Sequence, residues 1–222
     1  MSGYHFNFHV VWAHWDKLAW GLLKSVELTI YSIAIGVLVG LILATAFTGG
    51  KRWIRGSIAA YVEFIRNVPL LLLVYLVFYG IPSVGGFAYG QQTSFIMTLS
   101  AYAGAQFVEV FRAGLDAVPK GLLDAGKSIG LTPWQRLLHV RFPVMLRIVL
   151  PSVSNIFVSI FKDTSLASVI AVPELAFAAG WIKGKTFAIL EVYAVITPIY
   201  LISGYLILLS LRRFERLWQI RG

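Results

Sequence analysis

The chain has 222 residues, 58% of them hydrophobic and only 13% charged, with a mean hydropathy of +0.77. A soluble domain of this length carries roughly a quarter charged residues, so the deficit points to lipid as the solvent and to one compact membrane domain over residues 1–222. The net charge of +9 lies in blocks between apolar runs, which argues against nucleic-acid binding, and the absence of cysteine excludes disulfides, thiolate catalysis and cysteine-based metal sites.

The start, Met1 to Trp20, lacks the basic region of a cleavable signal peptide, so the first apolar run is expected to be a retained span. A membrane helix needs roughly 20 largely apolar residues. No charge occurs between Leu28 and Gly50, which places span one at 28–47. Gly36 and Gly40 within it form a small-xxx-small step suited to close helix packing. The next uncharged run, from Asn67 to Val108, is too long for one helix. Pro82, Gly85, Gly86, Gly90 and Gln91-Gln92 mark a loop inside it, giving spans at 61–79 and 94–111. Glu63 with Arg66, and Glu109 with Arg112, are spaced for local ion pairs at the span ends. Span four covers 148–172, interrupted by Lys162-Asp163, and span five covers 192–211. The fold class is all-α, with about five transmembrane helices.

The positive-inside rule sets the direction. Lys51, Arg52, Arg55; Arg112, Lys120, Lys127, Arg136, Arg141, Arg147; and Arg212, Arg213, Arg216, Arg221 lie on one side, 13 of the 19 Lys and Arg. Only Lys17, Lys183 and Lys185 lie on the other. The amino terminus is therefore expected outside, and the carboxyl terminus and the segment 112–147 in the cytoplasm.

That cytoplasmic segment reads as helix, glycine turn, helix. Pro119 opens a helix that reaches about Ile129, and Gly130 stops it. Thr132-Pro133-Trp134-Gln135 then has the pattern of a capping box. Leu122, Leu123, Ala125 and Ile129 give the first helix an apolar side that needs a partner. Gly121 to Ser128 also fits the phosphate-loop pattern GxxxxGKS letter for letter. A phosphate loop follows a buried strand, and what precedes here is a helix end, so nucleotide binding is not expected.

Charges inside spans are costly and default to functional candidates. Asn155, Ser159 and Asp163 are spaced by four and share one helix face, with Ser152 close to it. Two readings stay open: a polar stripe lining a solute pathway, or a helix-packing stripe with Lys162 and Asp163 paired. Glu27 and Glu191 stand near the outer ends of spans one and five, where interface placement or substrate contact are the alternatives. His5, His9, His14 and His139 show no metal-ligand spacing, and no metal site is expected. No catalytic constellation is visible, so the chain is not expected to be an enzyme.

The loop segment resembles the motif of ABC importer permeases: Glu-Ala-Ala, three residues, Gly, nine residues, Ile-x-Leu-Pro. This chain has Asp124-Ala125-Gly126, then Gly130, then Val140-Arg141-Phe142-Pro143 at the same spacing. The departures are Asp for Glu, Gly for the second Ala, Val for Ile and Phe for Leu. Further stretches are similar to the polar amino acid subfamily of the histidine, glutamine and glutamate type. They are Glu63 to Leu70, Glu109 to Gly114, Leu150-Pro151 with Asn155, Lys162 to Leu166, and Glu174-Leu175. The resemblance implies a type I importer permease in a bacterial cytoplasmic (inner) membrane. Its ATPase-coupling residues would be Gly121, Leu122, Asp124, Ala125, Gly126 and Gly130. Its substrate pathway would be walled by Asn155, Ser159, Lys162, Asp163 and Thr164, between two permease subunits of equal or paralogous sequence. The implied partners are cytoplasmic ABC ATPase subunits, which would bind ATP and Mg, and an extracytoplasmic amino acid-binding protein; this chain itself would hold no cofactor. The competing reading is an ion-coupled secondary transporter of small polar solutes. That class places coupling carboxylates at midspan, often in inverted repeats, and only Asp163 stands there.

Overall fold

The computed structural model describes residues 5–86 and 88–219, and among these every regular element is helical. Helix α1 (His9–Trp12) leads into α2 (Trp15–Gly49), α3 (Arg52–Asn67), α4 (Leu70–Tyr75), α5 (Ile81–Gly85) and α6 (Gln91–Asp116). Then come α7 (Lys120–Ser128), α8 (Pro133–Arg136), α9 (Phe142–Asp163), α10 (Leu175–Thr186) and α11 (Ile189–Gln219). One π-helical turn, Leu76–Gly80, joins α4 to α5, and another, Leu137–Arg141, joins α8 to α9.

The central contact is α2 on α6. A methyl placed on Gly36 would come within 2.7 Å of the Ala103 Cβ, and one on Gly40 would collide with Phe107. The glycine step thus lets the two backbones approach closely, as expected from the sequence. Pairs advance together along both chains, 36 with 103 and 40 with 107, so α2 and α6 run parallel. Gly114 meets Met145 and Val149 while Phe107 meets Phe157, so α9 runs antiparallel to α6. Phe161 meets Tyr200, Val158 meets Gly204, and Asn155 shares a cleft with Leu208, so α11 runs antiparallel to α9. The first and last long helices therefore begin at the same end of the bundle and finish at the other.

Three differences from the sequence expectation have physical causes. Helix α2 starts at Trp15, well before residue 28. Its 35 residues reach about 52 Å, longer than the roughly 30 Å hydrocarbon core, so its charged first turns extend beyond lipid. A straight span over 61–79 does not form. The chain bends by 106° between α3 and the apolar helices of Leu70–Gly85. Pro69 lacks an N–H and biases Val68 to the extended conformation it adopts (φ −91°, ψ 132°). Finally, α8 runs on without a break into α9, so that Pro133–Ile170 is one helical rod. The π turn at Leu137–Arg141 lies just where Pro143 removes a backbone donor.

Among the described residues, three helices are long and apolar enough to cross a membrane, or four if the bent pair counts as one. Helix α6 has the length, about 39 Å, but is more polar. It is the buried centre of the bundle, with Phe95, Leu99, Phe107 and Phe111 in the core, so protein rather than lipid satisfies much of its surface. Residues beyond span four, expected as an outer loop, instead form α10, which packs against α2 and α11 through Leu18, Leu175, Ile182 and Val192.

Candidate functional site

The segment after α6 is built as a rigid hairpin. Pro119 (φ −57°, ψ 130°) precedes α7 as its N-cap. At the other end Gly130 takes φ +84°, a conformation that costs other residues energy. Leu131 N–H donates to Gly126 O at 3.0 Å and Gly130 N–H to Lys127 O at 2.9 Å, the paired bonds of a Schellman stop. The capping box is formed in full: Gln135 N–H donates to Thr132 Oγ1 at 3.3 Å, and Thr132 N–H to Gln135 Oε1 at 2.9 Å. Gly126 is buried, and a Cβ there would lie 3.3 Å from the Arg136 side chain. Arg141 Nη2 donates to Leu115 O at 3.0 Å, tying the rod of α8 and α9 to the end of α6.

This hairpin gives α7 two sides. Lys120, Leu123, Asp124 and Lys127 face inward and line a groove of about 840 Å³ against the last turns of α2. Gly121, Leu122, Ala125 and Ile129 face outward; Leu122 is 45% and Ile129 75% exposed. The predicted coupling residues are thereby sorted. Gly121, Leu122 and Ala125 form the open surface, Asp124 pairs with Lys127 at 3.0 Å on the groove side, and Gly126 and Gly130 shape the hairpin. Leu123, expected on the same apolar side as Leu122, packs instead against the core. The GxxxxGKS letters lie within continuous helix from Gly121 to Ser128, so their backbone donors follow a helix rather than a phosphate-cradling loop.

The polar residues of α9 open on two clefts rather than one. Ser159 joins Arg66, Tyr102, Gln106 and Glu109 around a cleft of about 370 Å³. Asn155 joins Ser154, Arg212, Glu215 and Arg216 around another of about 380 Å³. Lys162 is exposed and Asp163 half-buried. Among the described residues no ion pair closes between them; adjacent helical positions point in different directions. Thr164 is fully buried and donates to Phe161 O at 2.7 Å, so it faces neither cleft. Of the two expected local ion pairs, Arg112–Glu109 forms at 3.2 Å. Arg66 turns away from Glu63 and bridges to Glu109 on α6 at 2.7 Å. Tyr102 and Gln106 were not singled out from sequence, although a glutamine inside an apolar run was an available signal.

The stretch Glu174-Leu175 contributed to the family resemblance, but the burial of its carboxylate was not anticipated. Glu174 is fully buried at the N-terminus of α10. It accepts from Phe177 N–H at 2.7 Å, Ala176 N–H at 2.9 Å, Tyr200 OH at 2.9 Å and Ser25 OH at 3.2 Å. Gly21 makes room for it, since a Cβ there would lie 2.9 Å from Glu174 O. The site thus joins α2, α10 and α11. Glu27 and Glu191 have protein partners too: Glu27 takes Lys24 at 2.9 Å and Gln92 at 3.0 Å, and Glu191 accepts from Asn7 N–H at 3.0 Å. Among the described residues no group of three His, Asp or Glu is placed to hold a metal ion. Arg221 of the basic carboxyl-terminal block lies outside the described residues.

Comparison with known proteins bears on this arrangement. The family model described as binding-protein-dependent transport system inner membrane component matches residues 36–219. The chain is 36% identical to the L-cystine transport system permease protein TcyB of Bacillus subtilis, over 91% of this chain and 86% of that one. It is 34% identical to the probable glutamine ABC transporter permease protein GlnM of the same organism, over 82% of each. A solved amino acid ABC transporter with histidines contains a chain that superposes with a TM-score of 0.88 at 28% identity, covering 96% of this chain and 99% of its own. A chain of the MetNI methionine ABC transporter shares the fold at TM-score 0.76 and 18% identity, covering 91% of this chain and 96% of its own.

Proposed function

The chain belongs to the family of inner-membrane components of binding-protein-dependent transport systems, and from that premise we propose that it is the permease subunit of an ATP-driven importer of polar amino acids. The observation that carries the coupling role is the outward side of α7. An apolar strip of Leu122, Ala125 and Ile129 is held open to solvent on a hairpin whose turn is closed by the Schellman stop of α7 and the capping box of α8. A mobile loop would lose the motion of a partner, whereas this hairpin passes it on, because α8 continues into α9 and α9 packs on α6 and α11.

The amino acid class is supported by the relatives named for glutamine and L-cystine. The pathway reading rests on the exposure of Asn155, Ser159 and Lys162 on an otherwise apolar helix. A charge facing lipid at midspan costs about 2.5–3.5 kcal/mol on insertion scales, so these residues are better placed against a second permease subunit and a hydrated path. Arg66, Tyr102, Gln106 and Glu109 line the same cleft as Ser159 and join the pathway set. The charge asymmetry supports a cytoplasmic α7 and an outer start of α2. ATP and Mg belong to the partner ATPase, and a soluble or anchored binding protein meets the outer end.

The chain has no cysteine, so one introduced thiol reports a single position. Ala125→Cys is expected to cross-link to the candidate ATPase subunit in membranes, whereas Ser57→Cys, exposed on α3, is not. Equal cross-linking from both positions, or none from Ala125→Cys, would remove α7 as the docking surface.

A further inference from the structure

The inward side of α7 presents a different chemistry from its docking side. The groove of about 840 Å³ is walled by Ile42, Thr45, Ala46 and Gly49 of α2 on one flank. On the other stand Lys120, Lys127, Arg136 and Arg141, with Asp124 as the one acid among the lining residues. Asp124 pairs with Lys127 at 3.0 Å and Asp116 stands 3.9 Å from Arg141, so the excess of positive charge in the groove comes from Lys120 and Arg136. Arg141 is held at the wall by its bond to Leu115 O. Above the groove, Ile35, Leu38 and Ile42 are exposed along one face of α2, spaced by three and four. An apolar track therefore runs down α2 and ends in a basic mouth at the end of the helix, beside exposed Trp134. This is the shape and charge order of an amphiphile.

We propose that this groove binds an anionic phospholipid of the cytoplasmic leaflet, with its phosphate among Lys120, Lys127, Arg136 and Arg141 and an acyl chain along Ile42, Leu38 and Ile35. Basic pockets between helices at the cytoplasmic surface attract anionic headgroups, by about fivefold in affinity per Lys or Arg. The assignment rests on the membrane placement above but not on the docking reading, because the two sides of α7 are opposite. A lipid wedged between α2 and the hairpin would set the position of α7 relative to the bundle, and so link leaflet composition to transport.

The test is native mass spectrometry of the assembled transporter released from nanodiscs containing equal phosphatidylglycerol and phosphatidylcholine. Phosphatidylglycerol should be retained in preference, and each of Lys120→Gln and Arg136→Gln should lower its retention about fivefold. Ile42→Trp fills the track and leaves every charge in place; it should lower retention as well. Arg52→Gln with Arg55→Gln, outside the groove, should change little. Equal retention of both lipids, no retained lipid, an equal loss in the control, or displacement by excess inorganic phosphate would each overturn the assignment.

Discussion

Glu174 shows what a single residue does in this protein. A buried carboxylate is tolerable only if its oxygens are satisfied, and four donors from three helices converge on it. Glu174→Gln turns an amide N–H₂ toward donors that it cannot accept from. We expect a loss of about 1–3 kcal/mol of stability, read as a lower unfolding temperature of the detergent-solubilised complex. Tyr200→Phe removes one donor and should cost less, about 0.5–1.5 kcal/mol. An unfolding temperature unchanged in Glu174→Gln would contradict the role of the carboxylate as a four-way acceptor. The sequence shows Glu174 only as one acid between spans four and five, in a stretch similar to the family. Its partners, Ser25 and Tyr200, lie 149 and 26 residues away, and nothing in local spacing connects them. The same holds for Arg66, whose partner Glu109 is 43 residues distant, although Glu63 stood at the right helical spacing. Exposed i,i+3 pairs are weak enough that a cross-helix partner displaces them.

At the scale of elements, local chemistry was legible wherever a short-range rule acts alone. Thr132 and Gln135 form the expected box, and Gly130 takes the left-handed conformation of a helix stop. Two substitutions test how far these devices matter. Gly130→Ala should cost about 1–2 kcal/mol for the left-handed conformation, and Thr132→Ala about 1 kcal/mol for the lost cap. Both should raise amide hydrogen exchange across α7 and α8 while leaving α2 and α6 protected. Uniform exchange rates, identical to the parent protein, would show that the hairpin is held by packing rather than by its caps. What hydropathy misplaced are the elements whose surroundings are protein. It carried span two across Pro69 because apolar residues continue beyond it, although the backbone bends there by 106°. It assigns no element to α10, between spans four and five. Lys183 and Lys185 stay at the surface with their ammonium groups over the rings of Tyr193 and Trp181, at 5.7 and 4.8 Å, while the other side of α10 is core.

For the whole molecule, the composition already required a helical membrane bundle, and the Pro119, Gly130 and Thr132-Gln135 signals already placed the helix–turn–helix proposed to dock. The sorting of that hairpin into an outward docking side, an inward groove and a buried glycine required the tertiary structure. So did the division of Asn155 and Ser159 between two clefts. The proposed path of motion runs from the surface of α7, through the continuous helix of α8 and α9, to the two polar clefts. In the proposed mechanism force enters at Ala125. The direct measurement is ATP hydrolysis and amino acid uptake in liposomes holding this permease, its ATPase and its binding protein, with and without Ala125→Arg. Ala125 is exposed, so the substitution leaves the core of the permease undisturbed while placing a bulky cation on the docking strip. Uptake and binding-protein-stimulated hydrolysis should both collapse while the permease inserts and folds as before. Uptake that persists at the parent rate, or that proceeds without ATP, would contradict this mechanism.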